Sequence, residues 1–170
     1  MTHAELAAQL EALHPQCLGW ALACCDNRRE DAEDVLHDTY VGVLNNGLRF
    51  NGASSFRTWL FGIIRNKARA RDRRERLRAW IGITNAARVA GPEPVALPDD
   101  DAVAAERRAH THRALEALPR RQREVLLLVF YHDLTVEAAA DVMRVSVGSA
   151  RTHYARGKAR MAALLSETYP

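Results

Sequence analysis

Aromatic residues are scarce in this chain, 6% of 170 residues, and β-branched residues are sparse beside Ala, Leu and Arg. That shortage argues against a sheet-rich fold and for helix. Cysteine is nearly absent. Cys17, Cys24 and Cys25 make three in all, an odd number clustered near one end, which is not the disulfide framework of a secreted domain. A reducing cytosol is the expected compartment. No apolar run reaches the roughly eighteen residues of a membrane span, so no membrane insertion is expected. The N-terminus carries Glu5 and Glu11 and lacks a basic stretch followed by an apolar core, so it does not read as a signal peptide. No Ser-His-Asp arrangement, Gly-rich phosphate loop or paired catalytic carboxylate stands out. The expectation is a protein that is not an enzyme and needs no cofactor.

What is present is apolar material, 48% of residues, and a net charge of +3 with a sequence pI near 9.0. The charge is segregated along the chain, which matters more than its sum. Thr2 and Glu5 form a capping-box pattern, followed by Leu6, Leu10 and Leu13 at helical spacing. Pro15 suits the first turn of a second helix carrying Leu18, Leu22 and Cys25, which Asp26-Asn27 punctuates. Ala32, Val35, Leu36, Thr39, Tyr40, Val43 and Leu44 mark a third helix, ended by Asn45-Asn46-Gly47. After a loop, Ser54 or Ser55 caps a fourth, containing Phe56, Trp59, Leu60, Ile63 and Ile64. From about Gly82 to Asp100, Gly91, Pro92, Pro94 and Pro98 break any regular element. This segment reads as a flexible linker able to reach roughly 60 Å when extended.

Beyond it, Asp101 caps a helix ending near Leu118-Pro119, and another helix carries Val125, Leu126 and Val129. Thr135 to Met143 and Ser146 to about Leu165 then form a short helix, a short turn and a capped second helix, the helix-turn-helix layout. In the last helix Val147, Ala150, Tyr154, Gly157, Met161 and Leu164 make one inward stripe. The outward face presents Ser149, Arg151, Thr152, His153, Arg156, Lys158 and Arg160. Between Arg144 and Arg160 there are five bases and no acid. Such a face suits a major groove, where cations meet phosphates and Arg or Thr reads base edges. It also fits a solvated face of an ordinary helical bundle.

A second division lies in the first part. Six acids stand between Asp26 and Asp38, and eight bases between Arg65 and Arg78. Neighbouring helices of opposite sign can pair with each other at about 0–1 kcal/mol per exposed pair. Otherwise the acids face a basic protein partner and the bases face nucleic acid. In the loop between Gly47 and Ser55, Arg49, Phe50 and Asn51 can stack on and hydrogen-bond an unpaired base. Phe50 equally reads as a core anchor. His14, Cys17, Cys24 and Cys25 invite a zinc hypothesis, but there is no CxxC pair and cysteine is often a small buried hydrophobe. Packing without metal is the expectation.

Asp31-Ala32-Glu33-Asp34-Val35-Leu36-His37-Asp38-Thr39-Tyr40 resembles the polymerase-binding helix of extracytoplasmic-function sigma factors. Ser55-Phe56-Arg57-Thr58-Trp59-Leu60-Phe61 and Ile64-Arg65-Asn66 resemble that family's promoter-melting helix. Leu118-Pro119 and Arg123-Glu124-Val125-Leu126-Leu127-Leu128 lead into the helix-turn-helix as in its C-terminal domain. The resemblance covers nearly the whole chain, in order. It implies an all-α protein of two small helical domains, a sigma-2 bundle over 1–80 and a sigma-4 helix-turn-helix over 101–170, with the linker over 81–100. It implies that Asp31, Glu33, Asp34, His37 and Asp38 dock on the coiled coil of the polymerase beta-prime subunit. Arg49, Phe50, Asn51, Arg57, Arg65, Asn66, Lys67 and Arg69 would hold the minus-ten element, with Trp59 and Leu60 in the core. Ser149, Arg151, Thr152, His153, Arg156 and Lys158 would read the minus-thirty-five element. The implied partners are polymerase core, through beta-prime and the beta flap, promoter DNA and an anti-sigma factor.

The chain departs from the family at His37-Asp38, usually Gln-Glu, and at Arg144, usually glycine. A left-handed Arg144 would cost about 1 kcal/mol. Two other functions fit parts of the pattern. A stand-alone helix-turn-helix regulator explains the C-terminal part, and a helical adaptor explains the acidic face.

Overall fold

A computed structural model describes residues 2–45, 47–81 and 102–166, the side chains of 102–105 excepted. The linker expected over 81–100 lies, Ile81 apart, outside the described residues, as does Asp101. The chain divides into two compact units, Met1–Gly91 and Pro92–Pro170, and among the described residues all regular structure is helical.

The N-terminal unit packs α1 (His3–Cys24), α2 (Arg29–Leu44) and α3 (Phe56–Trp80) against one another. The Thr2–Glu5 capping box forms as expected, with both reciprocal bonds present. Pro15 does not start a second helix, however. It lies inside the continuous α1. Proline lacks the N–H that would bond back to Glu11. Glu11 and Pro15 are both on the exposed face of the helix, where a carbonyl left without its helical partner costs least. Inward-facing Leu10, Cys17, Trp20, Ala21 and Cys24 continue one apolar stripe through the proline. Tertiary packing thus overrides the local break. Asp26 and Asn27, both at positive φ, then turn the chain into α2.

The core of this unit is Trp20, Val35, Leu36, Val43, Leu60, Phe61 and Ile64, all nearly or fully buried. Trp20 stacks on Phe61 with centroids 5.9 Å apart and donates its indole N–H to the Phe61 carbonyl at 3.0 Å. That satisfied donor lets a large aromatic be buried without penalty. Gly42 allows the chain to fold back after α2. A Cβ there would sit 2.8 Å from Leu48 Cδ1, and the Leu48 N–H bonds to the Gly42 carbonyl at 2.9 Å. Of the two candidate caps for α3, Ser55 is the one used, accepting from the Thr58 N–H at 3.1 Å.

The C-terminal unit contains α4 (Ala102–Glu116), α5 (Arg120–Leu126), a π-helical turn (Leu127–Tyr131), α6 (Val136–Met143) and α7 (Val147–Ser166). Val125, Leu126, Leu128, Leu134, Ala139, Val142, Met143 and Ala150 form its core. Gly157 brings α7 tight against α5, for a Cβ there would lie 3.2–3.3 Å from Gln122 and Leu126. The π-helical turn was not expected from sequence. It closes on a bond from the His132 N–H to the Leu127 carbonyl at 3.1 Å, five residues back.

Candidate nucleic-acid interface

The helix-turn-helix is built from local caps. Thr135 accepts from the Ala138 N–H at 3.1 Å to start α6, and Ser146 accepts from the Ser149 N–H at 3.1 Å to start α7. Between them Arg144 is left-handed, at φ 52° and ψ 54°. The Val145 N–H returns to the Ala140 carbonyl at 3.1 Å. The turn therefore keeps the tight geometry for which glycine is the easy residue, with an arginine in its place.

α7 divides as the spacing predicts. Ala150 and Gly157 are buried, and Tyr154 is half-buried under Phe130, their rings stacked 5.9 Å apart. Ser149, Arg151, Thr152, Arg156, Lys158 and Arg160 are exposed, and His153 is half-buried. Thr152 spends its hydroxyl proton on the Gly148 carbonyl, at 3.0 Å. Arg151 pairs with Glu137 of α6, Nη2 to Oε1 at 2.8 Å. That pairing holds the Glu137 carboxyl below its usual range. The exposed bases from Arg151 to Arg160 span about 14 Å of helix by its rise, the scale of a groove contact.

In the N-terminal unit the opposite charges of α2 and α3 do meet. Arg71 contacts Asp31 Oδ1 through Nη2 at 2.7 Å and Asp34 Oδ2 through Nη1 at 3.0 Å. Arg28 joins Asp31 at 2.6 Å and Glu75 at 3.0 Å. Burial works against both guanidinium charges, but these carboxylates outweigh it, so both arginines hold their protons more tightly than usual. Asp31 is only 8% exposed and Arg65 only 1%. Both were placed on interaction faces by sequence, and both face inward here. Glu33, Asp34, His37 and Asp38 are exposed and form the outer face of α2.

Around the loop before α3, Arg49 and Asn51 are exposed. The Asn51 side-chain oxygen accepts from the Ala53 N–H at 3.1 Å, shaping the turn. Phe50 is half-buried against Phe56 and Trp59, at 5.5 and 5.4 Å. The covered part of that ring fits the anchor reading. Arg57 reaches Gln16 at 3.3 Å. Asn66, Lys67 and Arg69 are half-buried along α3. The cysteines are free and buried, and the Cys17 thiol meets the Tyr40 hydroxyl, which contacts His14 Nδ1 at 3.2 Å. Among the described residues no group of three or more His, Cys, Asp or Glu is arranged to hold a metal.

Residues 10–81 match the family model of Sigma-70 region 2, and residues 110–161 match that of Sigma-70 region 4. The RNA polymerase sigma factor CnrH of Cupriavidus metallidurans is 31% identical, over 92% of this chain and 85% of its own length. The chain belongs to the extracytoplasmic-function sigma factors. SigX of Bacillus subtilis is 29% identical over 76% of this chain and 68% of its own, and EcfG of Rhodopseudomonas palustris 27% over 95% and 85%. Two solved structures share the fold. The sigma factor RpoE, solved with the anti-sigma factor NepR from Bartonella quintana, superposes with a TM-score of 0.77 at 20% identity, covering 95% of this chain and 97% of its own. CnrH, solved with the cytosolic domain of CnrY, does so at 0.63 and 25% identity, covering 97% and 95%. A sigma factor binds core polymerase and directs promoter-specific initiation, and the region 2 match removes the reading as a stand-alone helix-turn-helix regulator. Among the described residues no helix is long and apolar enough to cross a membrane.

Three features of this sigma factor escaped the sequence reading. Asp31 lies four residues before buried Val35, and Arg65 four after buried Phe61. That spacing sets both on inward stripes and was a usable signal. Phe130 and Tyr131 are 63% and 70% exposed, although they end an apolar run that reads as core. Nothing local announced the π-helical turn that turns them outward.

Proposed function

We propose that the outer face of α2, from Glu33 to Asp38, docks on the beta-prime coiled coil of core polymerase. α3 and its preceding loop hold the minus-ten strand, and α7 reads the minus-thirty-five element. The observation that carries this reading is α7 itself, whose inward stripe is packed while Arg151, Thr152, Arg156 and Lys158 stand exposed. Asp38 and Asp34 supply the acid for the coiled coil, Asp34 while also pairing with Arg71, and Asp31 holds α3 in place. Arg49, Asn51, Arg57, Asn66, Lys67 and Arg69 lie along one loop and helix, where a melted strand would run. Phe50 supports that loop from below. Arg65 contributes through packing. Exposed Phe130 and Tyr131 offer apolar surface of the kind the beta flap would cover.

The protein works in the cytoplasm, beside the polymerase, and an anti-sigma factor holds it inactive by covering both units. The complexes of RpoE with NepR and of CnrH with CnrY support that regulation. The polymerase supplies the chemistry, and this chain is not an enzyme. Run-off transcription with purified core polymerase tests the reading. Addition of this protein should produce one defined start, and reversal of Asp34 and Asp38 to Lys should abolish it with helix content intact. A start unaffected by that reversal would remove the role given to α2. For the regulator, the protein isolated from uninduced cells should be inactive in the same assay until a bound partner is stripped away. Full activity as isolated would count against it.

A further inference from the structure

We infer that Glu137 positions Arg151 for base reading and keeps it off the DNA backbone. The inference rests on the reading of α7 as the minus-thirty-five helix. The pair joins the two helices of the helix-turn-helix, fourteen residues apart in sequence, with Nη2 2.8 Å from Oε1. Both ends stand on fixed backbone. Glu137 follows the Thr135 cap in the first turn of α6, ahead of buried Ala139 and Ala140. Arg151 follows buried Ala150 near the start of α7. The contact is therefore between framework elements and not between two floppy chains.

The pair is also open to a ligand, since the two side chains remain 68% and 54% exposed. One Nη2 hydrogen goes to Glu137, which leaves the second Nη2 hydrogen and those of Nη1 unspent. Two parallel donors along that edge are what guanine O6 and N7 accept in the major groove. An arginine without such a tether has a strong competing destination, the nearest phosphate, which adds affinity without adding information. A carboxylate beside the guanidinium opposes that diversion twice. It occupies one donor, and it repels the phosphates. Glu137 is an exposed carboxylate, ionised near neutral pH like any other glutamate, and the Arg151 pairing only lowers its pKa further, so the repulsion is present when the protein acts. Glu137 is thus a positioning residue that trades general affinity for preference.

The experiment is promoter selection by core polymerase carrying each variant, over a randomised upstream element, paired with binding to unrelated duplex DNA. Arg151→Ala defines the base that Arg151 reads. Glu137→Ala should lower the preference at that same base by about two- to fivefold, the bias an exposed ion pair exerts. It should also raise binding to unrelated DNA and lower the unfolding midpoint by no more than that one exposed pair is worth. Glu137→Gln, which keeps the acceptor oxygen, should recover part of the preference but not the discrimination against unrelated DNA. A purely structural glutamate would move the midpoint further than that and weaken all sequences alike. That result overturns the inference, as does an unchanged preference in Glu137→Ala while Arg151→Ala relaxes it. If Arg151→Ala itself leaves the selected sequence unaltered, the reading of α7 falls and the role of Glu137 falls with it.

Discussion

In the N-terminal unit the bases of α3 meet carboxylates of α2 and of their own helix: Arg71 with Asp31 and Asp34, Arg76 with Asp72 at 3.1 Å. In the C-terminal unit Arg156, Lys158 and Arg160 of α7 stand exposed, and Lys158 lies over the Tyr154 ring at 5.4 Å. Both runs look alike in sequence. The first cross-links α2 and α3 through Arg71, whereas among the described bases of α7 only Arg151 reaches a neighbouring helix, and Arg156, Lys158 and Arg160 stay at the surface. A run of charge therefore carries no function until its neighbours are known. Where an oppositely charged helix packs alongside, the inner members become framework and only the outer ones remain for binding.

The largest expected effect comes from the apolar framework on which both arrangements depend. Trp20→Ala should cost about 3–5 kcal/mol of stability, read as a lower urea midpoint for the transition that reports on α1 to α3. A shift below about 1 kcal/mol would mean that ion pairs, and not the Trp20–Phe61 stack, hold that unit. Next comes the contrast within α2. Asp31→Ala strips Arg28 and Arg71 of a part-buried partner and should cost about 1–3 kcal/mol, with core binding changed only through that loss. Asp38→Ala should leave stability within about 0.5 kcal/mol and weaken core binding. If the two exchange effects, the division between inner framework and outer face is wrong.

A smaller effect tests α7. Lys158→Ala should weaken binding to all sequences alike and lower the salt slope by about one unit. A change in the selected minus-thirty-five sequence would contradict its placement on the backbone side. A last effect, read through pH, concerns the buried thiols, which share the N-terminal core. Burial pushes Cys17 and Cys25 up to about 11 from 9.0. The unfolded chain releases these protons first, so stability should decline as pH rises from 9 through 11 and be independent of them below that window. Urea midpoints in reductant at pH 8 and 10.5 check this. Cys25→Ser, with its hydroxyl outside this range, should lessen the decline.

Much of the C-terminal unit was legible because its signals are local. Thr135 and Ser146 each bond an N–H three residues on, and a cap needs nothing distant. Both faces of α7 followed from spacing alone. The N-terminal unit was harder, because its decisive contacts join residues far apart, 40 for Asp31–Arg71 and 47 for Arg28–Glu75. Sequence shows that α2 and α3 are opposite in sign but not which residues each spends on the other. Pro15 misled for a related reason. Its local preference for a first turn is weaker than the drive to bury Leu10, Cys17 and Trp20 on one stripe. The loop was read in both ways at once, and Phe50 shows why: its ring is half-covered, an anchor with one side still open.

The π-helical turn at Leu127–Tyr131 is in effect an α-helix carrying one residue more than its turn requires. A surplus residue acts as a phase shift. Each residue advances a helix by about 100°, so everything after the insertion points in a different direction from the one α5 alone would dictate. Deleting a single residue such as Val129 would return the segment to regular winding. It would swing Phe130 and Tyr131 toward the sides now held by their neighbours and change the angle at which the chain enters α6. The orientation of the DNA-reading module relative to the rest of its unit is thereby set by a count of residues, an all-or-none quantity that no side-chain substitution can tune gradually.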